Sequence, residues 1–270
     1  MPELPEVEIT MRGIASLVGC SVASVKIRNS NLRWPIPDHL PETLQNKQLL
    51  ALNRRAKYIL AKFENGFLIL HLGMSGRICL LDNAQEAEKH DHFDIQFNDD
   101  RVLRFRDPRR FGAVLWTSGV PDDHRLFQSL GPEPLSEEFN EEYLKKKLNG
   151  HTTAIKNTIM DSHVVVGVGN IYANESLFRS RLDPRISANK LSRIQTTRLV
   201  NEIKDTLIEA IQAGGSSLRD FFGADGNPGY FQQEYFVYGR VGQACKICAT
   251  EIQVIKQGQR STFYCPSCQN

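Results

Sequence analysis

The sequence predicts an α+β protein: an antiparallel β-sandwich opened by one helix, then a helical segment, then a β-hairpin carrying four cysteines. Three observations predict it. Apolar residues recur at helical spacing near the start and again after about residue 133; the stretch between them alternates with period two; and two Cys-x2-Cys pairs close the chain. At 270 residues the chain can bury a real core. The expected domains are 1–132, 133–230 and 231–270.

Taken in order, Val7, Met11, Ile14 and Val18 stand at helical spacing, and Gly19 follows as a stop. From Val22 to Trp116 short strands are expected. Tyr58–Phe63 and Phe67–Leu72 flank Glu64-Asn65-Gly66, and Asn-Gly between two apolar runs signals a hairpin. Phe93–Phe97 alternates, and Val102–Arg106 can pair with it across Asn98-Asp99-Asp100. Gly131-Pro132-Glu133-Pro134 marks a linker. Beyond it, Ser136 is expected to cap a helix running from Glu137-Glu138 to Lys145-Lys146-Lys147, a charge order that suits the helix dipole. A long helix should bury Leu191, Ile194, Leu199, Ile203, Leu207 and Ile211 and stop at Gly214-Gly215. The Gly-, Ser- and Asp-rich stretch from Ser216 to Gly229 reads as a mobile loop.

Net charge is only +2, so composition does not announce a nucleic-acid binder. Distribution says more. Arg101, Arg104, Arg106, Arg109 and Arg110 crowd a segment whose single acid is Asp107. Such a block suits phosphates, or it is an Arg-rich solvated strand. No apolar run approaches the length of a membrane span, and acids occupy the positions where an export signal carries bases, so a cytoplasmic protein is expected.

Cys245-x2-Cys248 and Cys265-x2-Cys268 have the spacing of a four-thiolate structural zinc site, one ion with every coordination position filled by protein. Between the pairs, Ile252, Val254 and Ile255 face Phe263 and Tyr264 across Gln257-Gly258-Gln259, with Arg260 just after the turn. Cys20 and Cys79 read as small buried apolar residues. Val166-Gly167-Val168-Gly169-Asn170 links a short helix, about Ala154 to Asp161, to another starting near Ile171. Backbone N–H groups at such a turn can hold a phosphate, with Asn170 adding a donor; an ordinary helix connection reads the same way.

At the N-terminus, Pro2 follows the initiator Met, and a small second residue permits Met1 removal. The freed secondary amine would have a reference pKa of about 7.7–8.0, so a neutral, nucleophilic fraction exists near neutral pH. Its adduct with a sugar C1′ must be a cationic iminium, an electron sink that eases loss of attached phosphates. Glu3 and Glu6 lie close enough to move protons and to orient the amine.

Together, Met1-Pro2-Glu3-Leu4-Pro5-Glu6-Val7-Glu8, Arg54-Arg55-Ala56-Lys57-Tyr58, His71-Leu72-Gly73-Met74-Ser75-Gly76, Asp107-Pro108-Arg109-Arg110-Phe111-Gly112, Gly167-Val168-Gly169-Asn170-Ile171-Tyr172 and the cysteine finger with Gln259-Arg260 resemble the bacterial formamidopyrimidine-DNA glycosylase family from end to end. The resemblance implies a catalytic β-sandwich domain, a helix-two-turn-helix domain and a zinc finger, with damaged double-stranded DNA between the lobes. It implies a monomer that extrudes the damaged nucleotide, attacks C1′ through Pro2 and expels 8-oxoguanine or a formamidopyrimidine. β- and δ-elimination would then cut the strand. Glu3 matches the general acid, Glu6 its supporting carboxylate, and Lys57 and Arg260 the cations at the flanking phosphates. Met74, Arg109 and Phe111 match the trio that fills the void, with Arg109 at the opposing cytosine; without the family, Met74 and Phe111 would read equally well as core. His71, His90 and Asn170 match DNA-backbone positions. Near residue 151 many relatives carry Lys; here His151 should give a weaker contact at neutral pH. A sister branch acting on oxidised pyrimidines usually begins Pro-Glu-Gly-Pro-Glu; Leu4 in place of that Gly favours the purine branch. A Pro2-dependent tautomerase would leave the finger, the arginine block and the glycine turn unused, and a non-catalytic zinc-dependent DNA-binding protein would leave Pro2 unused.

Overall fold

Eight strands between residues 22 and 117 form two four-stranded antiparallel sheets in a computed structural model that describes residues 2–215 and 235–270. Met1 and the loop expected at Ser216–Gly229 lie outside the described residues. The strands are β1 (Val22–Ile27), β2 (Leu49–Arg55), β3 (Tyr58–Phe63), β4 (Gly66–His71), β5 (Arg77–Leu81), β6 (Asp91–Phe97), β7 (Val102–Arg106) and β8 (Ala113–Thr117). One sheet runs β1-β6-β7-β5 and the other β2-β3-β4-β8. Phe93, Ile95 and Phe97 of β6 alternate inward and meet Phe63, Leu68 and Leu70 of the facing sheet in one core, so the expected sandwich is present.

The hairpin β3–β4 has the expected place but a tighter turn. Phe63 pairs with Gly66, so Glu64 and Asn65 form the loop and Gly66 opens the strand. A side chain at Gly66 would sit 2.4 Å from the Thr117 carbonyl, which explains the glycine by close approach.

Helix α1 (Leu4–Gly13) starts three residues before the apolar periodicity suggests. Pro5 in its first turn has the φ a helix needs, and Glu3 and Glu6 form a capping box. The helix ends sooner than expected and passes into a single 3₁₀ turn, Ala15–Leu17. That shift buries Leu17 and leaves Val18 exposed, against the expected pattern. A short helix, α2 (Leu40–Leu44), adds Leu40 and Leu44 to the same core.

The described residues fall into two compact units, 2–128 with 213–215, and 129–212 with 235–270. The second contains α3 (Glu141–Leu148), α4 (Ile155–Ile159), α5 (Asn170–Arg179), α6 (Arg193–Gln212), β9 (Gln253–Gln257) and β10 (Arg260–Tyr264). Helix α3 is capped by Asn140, whose side chain accepts from the Tyr143 N–H, and not by Ser136, whose hydroxyl bonds the Glu133 carbonyl. Phe139 is fully buried just before the cap, which fixes where the chain can turn into the helix. On α6, Leu199, Ile203 and Leu207 are buried as expected, but Ile194 in the first turn is 73 % exposed. Arg179 bonds both Glu202 and Glu209 and so ties α5 to α6. Among the described residues no helix is long and apolar enough to cross a membrane.

Candidate active site and nucleic-acid interface

The N-terminal constellation is a piece of helix architecture. Pro2 is half-buried, while Glu3 and Glu6 are each 2 % exposed. The Glu3 N–H donates to Glu6 Oε2 at 2.8 Å, so Glu6 fixes the backbone that carries Pro2 and Glu3. The helix N-terminus favours such carboxylates. One turn on, Glu8 accepts from Arg54 Nε at 2.9 Å, and Arg54 also donates to the Ala56 carbonyl at 3.0 Å. Ala56 is left-handed, at φ +55°, in the turn that presents Lys57. Arg54 therefore joins α1 to the Lys57 turn, a role its motif alone does not reveal.

Lys57 is close enough to His71 to act on its titration. Burial first, then Lys57 and Arg33, push His71 down to about 4. The Gly73 N–H donates to His71 Nδ1 at 3.1 Å, so the ring is neutral with its proton on Nε2. The free Nε2–H makes His71 a neutral hydrogen-bond donor and not a cation.

Two loops of the same unit are pressed together. Gly73 is left-handed at φ +63°, and a side chain there would lie 2.4 Å from the Phe111 carbonyl carbon. Asp107, fully buried, shapes the second loop: it accepts from the Gly112 N–H at 2.8 Å, the Ser75 hydroxyl at 2.7 Å and the Arg109 N–H at 3.2 Å. The result presents Arg109, Arg110 and Phe111 outward, with Met74 half-buried on the adjoining loop. Phe111 is 45 % exposed with the Arg109 guanidinium 4.9 Å from its ring centre, so it is not core. His90 is half-buried, and its carbonyl accepts from the Asp107 N–H at 3.0 Å, placing it beside this turn.

The arginine block divides. Arg104 is buried and paired with Asp94 and Asp91; Arg106 pairs with Asp91 and Glu88; Arg101 bonds Asp99 and Ser16. These three are taken up by carboxylates and a hydroxyl of their own unit. Their partners stand on other strands and turns, which is why the stretch looks unopposed in sequence. Only Arg109 and Arg110 remain exposed. Cys79 is buried as expected, but Cys20 is only half-buried and bonded to Asp99.

In the second unit, the glycine turn uses φ +81° at Gly167 and leads through Gly169 into α5. Asn170, its first residue, is held by neighbours that sequence reasoning missed. Lys156 is fully buried; its Nζ donates to Asn170 Oδ1 at 2.6 Å, Thr262 Oγ1 at 2.8 Å and the Ser261 carbonyl at 3.2 Å. Asn170 Nδ2 donates to that same carbonyl at 3.1 Å, and its second amide hydrogen has no partner among the described residues. Asn174 accepts from the Phe263 N–H at 2.8 Å. Helix α5 is thus bolted to β10, the strand that begins with the exposed Arg260. His151 stands apart, half-buried in the loop between α3 and α4.

The finger hairpin forms as expected, with Gly258 and Gln259 both at positive φ in its two-residue turn. The sulfurs of Cys245, Cys248, Cys265 and Cys268 all lie within 4.8 Å of one another. Two of their separations are 3.9 and 3.5 Å. Zn–S bonds of about 2.3 Å in a tetrahedron require sulfurs about 3.8 Å apart, so the quartet fits one structural zinc ion. Hydrogen bonds from Thr250 bring Cys248 down to about 6, while burial and its sulfur neighbours push Cys268 up.

Models of three domains match in this order: the formamidopyrimidine-DNA glycosylase N-terminal domain over residues 1–114, the H2TH domain of the same proteins over 130–222, and the zinc finger found in FPG and IleRS over 242–270. A curated formamidopyrimidine-DNA glycosylase of Methylobacillus flagellatus is 62 % identical, covering 100 % of this chain and 96 % of that protein. The Lactococcus lactis Fpg solved with abasic-site DNA is 33 % identical with a TM-score of 0.91, covering 99 % of both chains. A MutM structure in complex with carbocyclic 8-oxo-G-containing DNA is 34 % identical with a TM-score of 0.90, covering both chains fully. Sandwich, H2TH unit and zinc finger define a DNA glycosylase. The chain belongs to the formamidopyrimidine-DNA glycosylase family.

Proposed function

We propose that this chain excises oxidised purines, 8-oxoguanine and formamidopyrimidines, from duplex DNA and then cuts the strand, with Pro2 as nucleophile. The observation that carries this reading is that half-buried Pro2 leads directly into a helix whose N-cap and first turn hold two buried carboxylates, Glu3 and Glu6. The DNA named in the complexes of its structural neighbours, abasic-site and 8-oxo-G-containing, supports the substrate class.

With Met1 removed, the Pro2 nitrogen forms a bond to C1′ as the glycosidic bond breaks, and the base leaves with that electron pair and a proton. Glu3 delivers a proton to O4′ as the sugar ring opens, giving the iminium; Glu6 holds Glu3 and Pro2 in place. Loss of a C2′ proton then expels the 3′ phosphate, and a second elimination expels the 5′ phosphate. Lys57 and Arg260 stabilise the departing phosphate charges, and water releases Pro2. Met74, Arg109 and Phe111 enter the space the extruded nucleotide leaves, with Arg109 reading the opposing cytosine. His71, His90, His151 and Asn170 take the backbone.

Borohydride trapping on a duplex with 8-oxoguanine opposite cytosine tests the reading. A covalent adduct mapping to Pro2 is expected. No adduct from fully processed protein, or an adduct mapping to a lysine, would overturn it. A clear preference for thymine glycol would move the substrate to oxidised pyrimidines.

A further inference from the structure

At the far end of α5 from Asn170 lies a second surface. Helix α5 has ten residues, so its ends are about 15 Å apart. Beyond its C-terminus a groove of about 390 Å³ opens between Arg181, the α6 residues Gln195 and Arg198, and the zinc knuckles at Ile247 and Ser267. It continues into a further hollow of about 210 Å³ floored by Phe178 and Phe236, whose rings stack 5.3 Å apart. Arg181 and Ile247 border both.

Two features set this groove apart from ordinary surface. The first is charge. Arg181 and Arg198 are exposed and have no carboxylate partner among the described residues, while nearby Arg179 is neutralised by Glu202 and Glu209. Lys246 adds a cation 5.7 Å from the Phe236 ring centre. The second is an apolar wall. Ile247, at the tip of the first knuckle, is 65 % exposed beside the phenylalanine floor. A site for phosphates alone has no use for that wall, and a purely apolar contact has no use for two guanidinium groups. Arginines beside an apolar hollow fit a short acidic peptide that carries an apolar side chain.

We propose that this groove docks an acidic peptide segment of a partner protein, its carboxylates on Arg181 and Arg198 and an apolar residue seated against Ile247 and Phe236. Resting on the proposed role of Asn170 at the DNA backbone, its place a helix length from that residue predicts that partner and DNA bind together.

The test is fluorescence anisotropy with a labelled decapeptide carrying four aspartates followed by leucine and phenylalanine, using the full zinc-loaded protein. Saturable binding is expected, weakened at least tenfold in Arg181→Glu/Arg198→Glu, largely kept in Arg181→Lys/Arg198→Lys, and unaltered by a saturating abasic-site-analogue duplex. Zinc content reports whether the glutamate variant is folded; should it lose zinc, Ile247→Ser takes its place with the same expected weakening. Absence of saturable binding, equal binding to wild type and variant, or equal binding of a peptide with serines replacing leucine and phenylalanine would overturn the proposal. Displacement of the peptide by duplex or single-stranded DNA would assign the groove to nucleic acid instead.

Discussion

Lys156 Nζ and Asn170 Oδ1 are 2.6 Å apart, and the same ammonium reaches the Ser261 carbonyl and the Thr262 hydroxyl of the finger hairpin. One buried cation thus joins the glycine turn to the strand that begins with Arg260. Burying an ammonium costs several kcal/mol unless oxygen acceptors replace its water, and these three are part of what replaces it. Lys156→Met should cost about 3 kcal/mol, since it leaves those acceptors short of a donor in the interior. It should also slow strand cutting, because the hairpin carrying Arg260 loses its anchor. Lys156→Met, Arg260→Ala and the double variant form a cycle. Strong non-additivity in the cutting rate is expected. Simple additivity would show that Lys156 does not act through Arg260.

Gly73 is the point at which the two loops press together. Alanine there would carry its side chain into the Phe111 backbone and would also have to hold φ +63°. Overpacking and an unfavourable φ together should destabilise the protein by about 3 kcal/mol. The two loops would also part, separating Met74 from Phe111. Urea unfolding measures the first effect. On the proposed reading, in which Met74 and Phe111 fill the void, the second should appear as weaker binding to an abasic-site duplex. A variant that keeps full affinity would detach loop packing from void filling.

Local chemistry made some of this legible in sequence and hid the rest. The cysteine spacing, the β3–β4 turn and the inward alternation on β6 are short-range patterns, and each gave its element. The capping box sits within residues 3 to 6, yet apolar periodicity could not see it, because Glu3 and Glu6 carry no such signal. Ser136 and Asn140 are both good caps; burial of Phe139, a tertiary fact, favours Asn140. Lys156 and Arg104 look like solvated charges until the fold supplies partners. For Lys156 they come 105 and 106 residues later. Arg104 finds Asp94 across β6 and β7.

That last contrast is testable. Arg104 is buried between Asp91 and Asp94, whereas Arg109 is exposed on the turn shaped by Asp107. Asp91 keeps Arg106 and Asp94 keeps Arg28, but both buried carboxylates lose the charged hydrogen bonds of Arg104, so Arg104→Gln should lower stability by about 2 kcal/mol. The slope of log K for DNA against log salt should not change. Arg109→Gln should do the reverse: stability within about 0.5 kcal/mol of wild type, with loss of discrimination for cytosine opposite the lesion. A shallower salt slope in Arg104→Gln would return that residue to the DNA interface.

His71 ties stability to pH. Its folded pKa, about 4, lies below the ordinary 6.5 because burial disfavours the imidazolium and Lys57 and Arg33 repel it. Between those two values the unfolded chain holds more protons on this residue than the folded one does. The contribution is therefore complete above pH 6.5, falls as pH drops through the window and is gone below about 4. With the ring half-buried, solvent screening reduces it to about 2 kcal/mol. His71→Asn keeps an acceptor for the Gly73 N–H but does not titrate, so its stability should decline less between pH 7 and pH 4.5. Urea unfolding of both proteins across that range gives the difference directly. Equal declines would mean that His71 already carries its proton in the folded protein, and the phosphate contact proposed for it would have to be ionic.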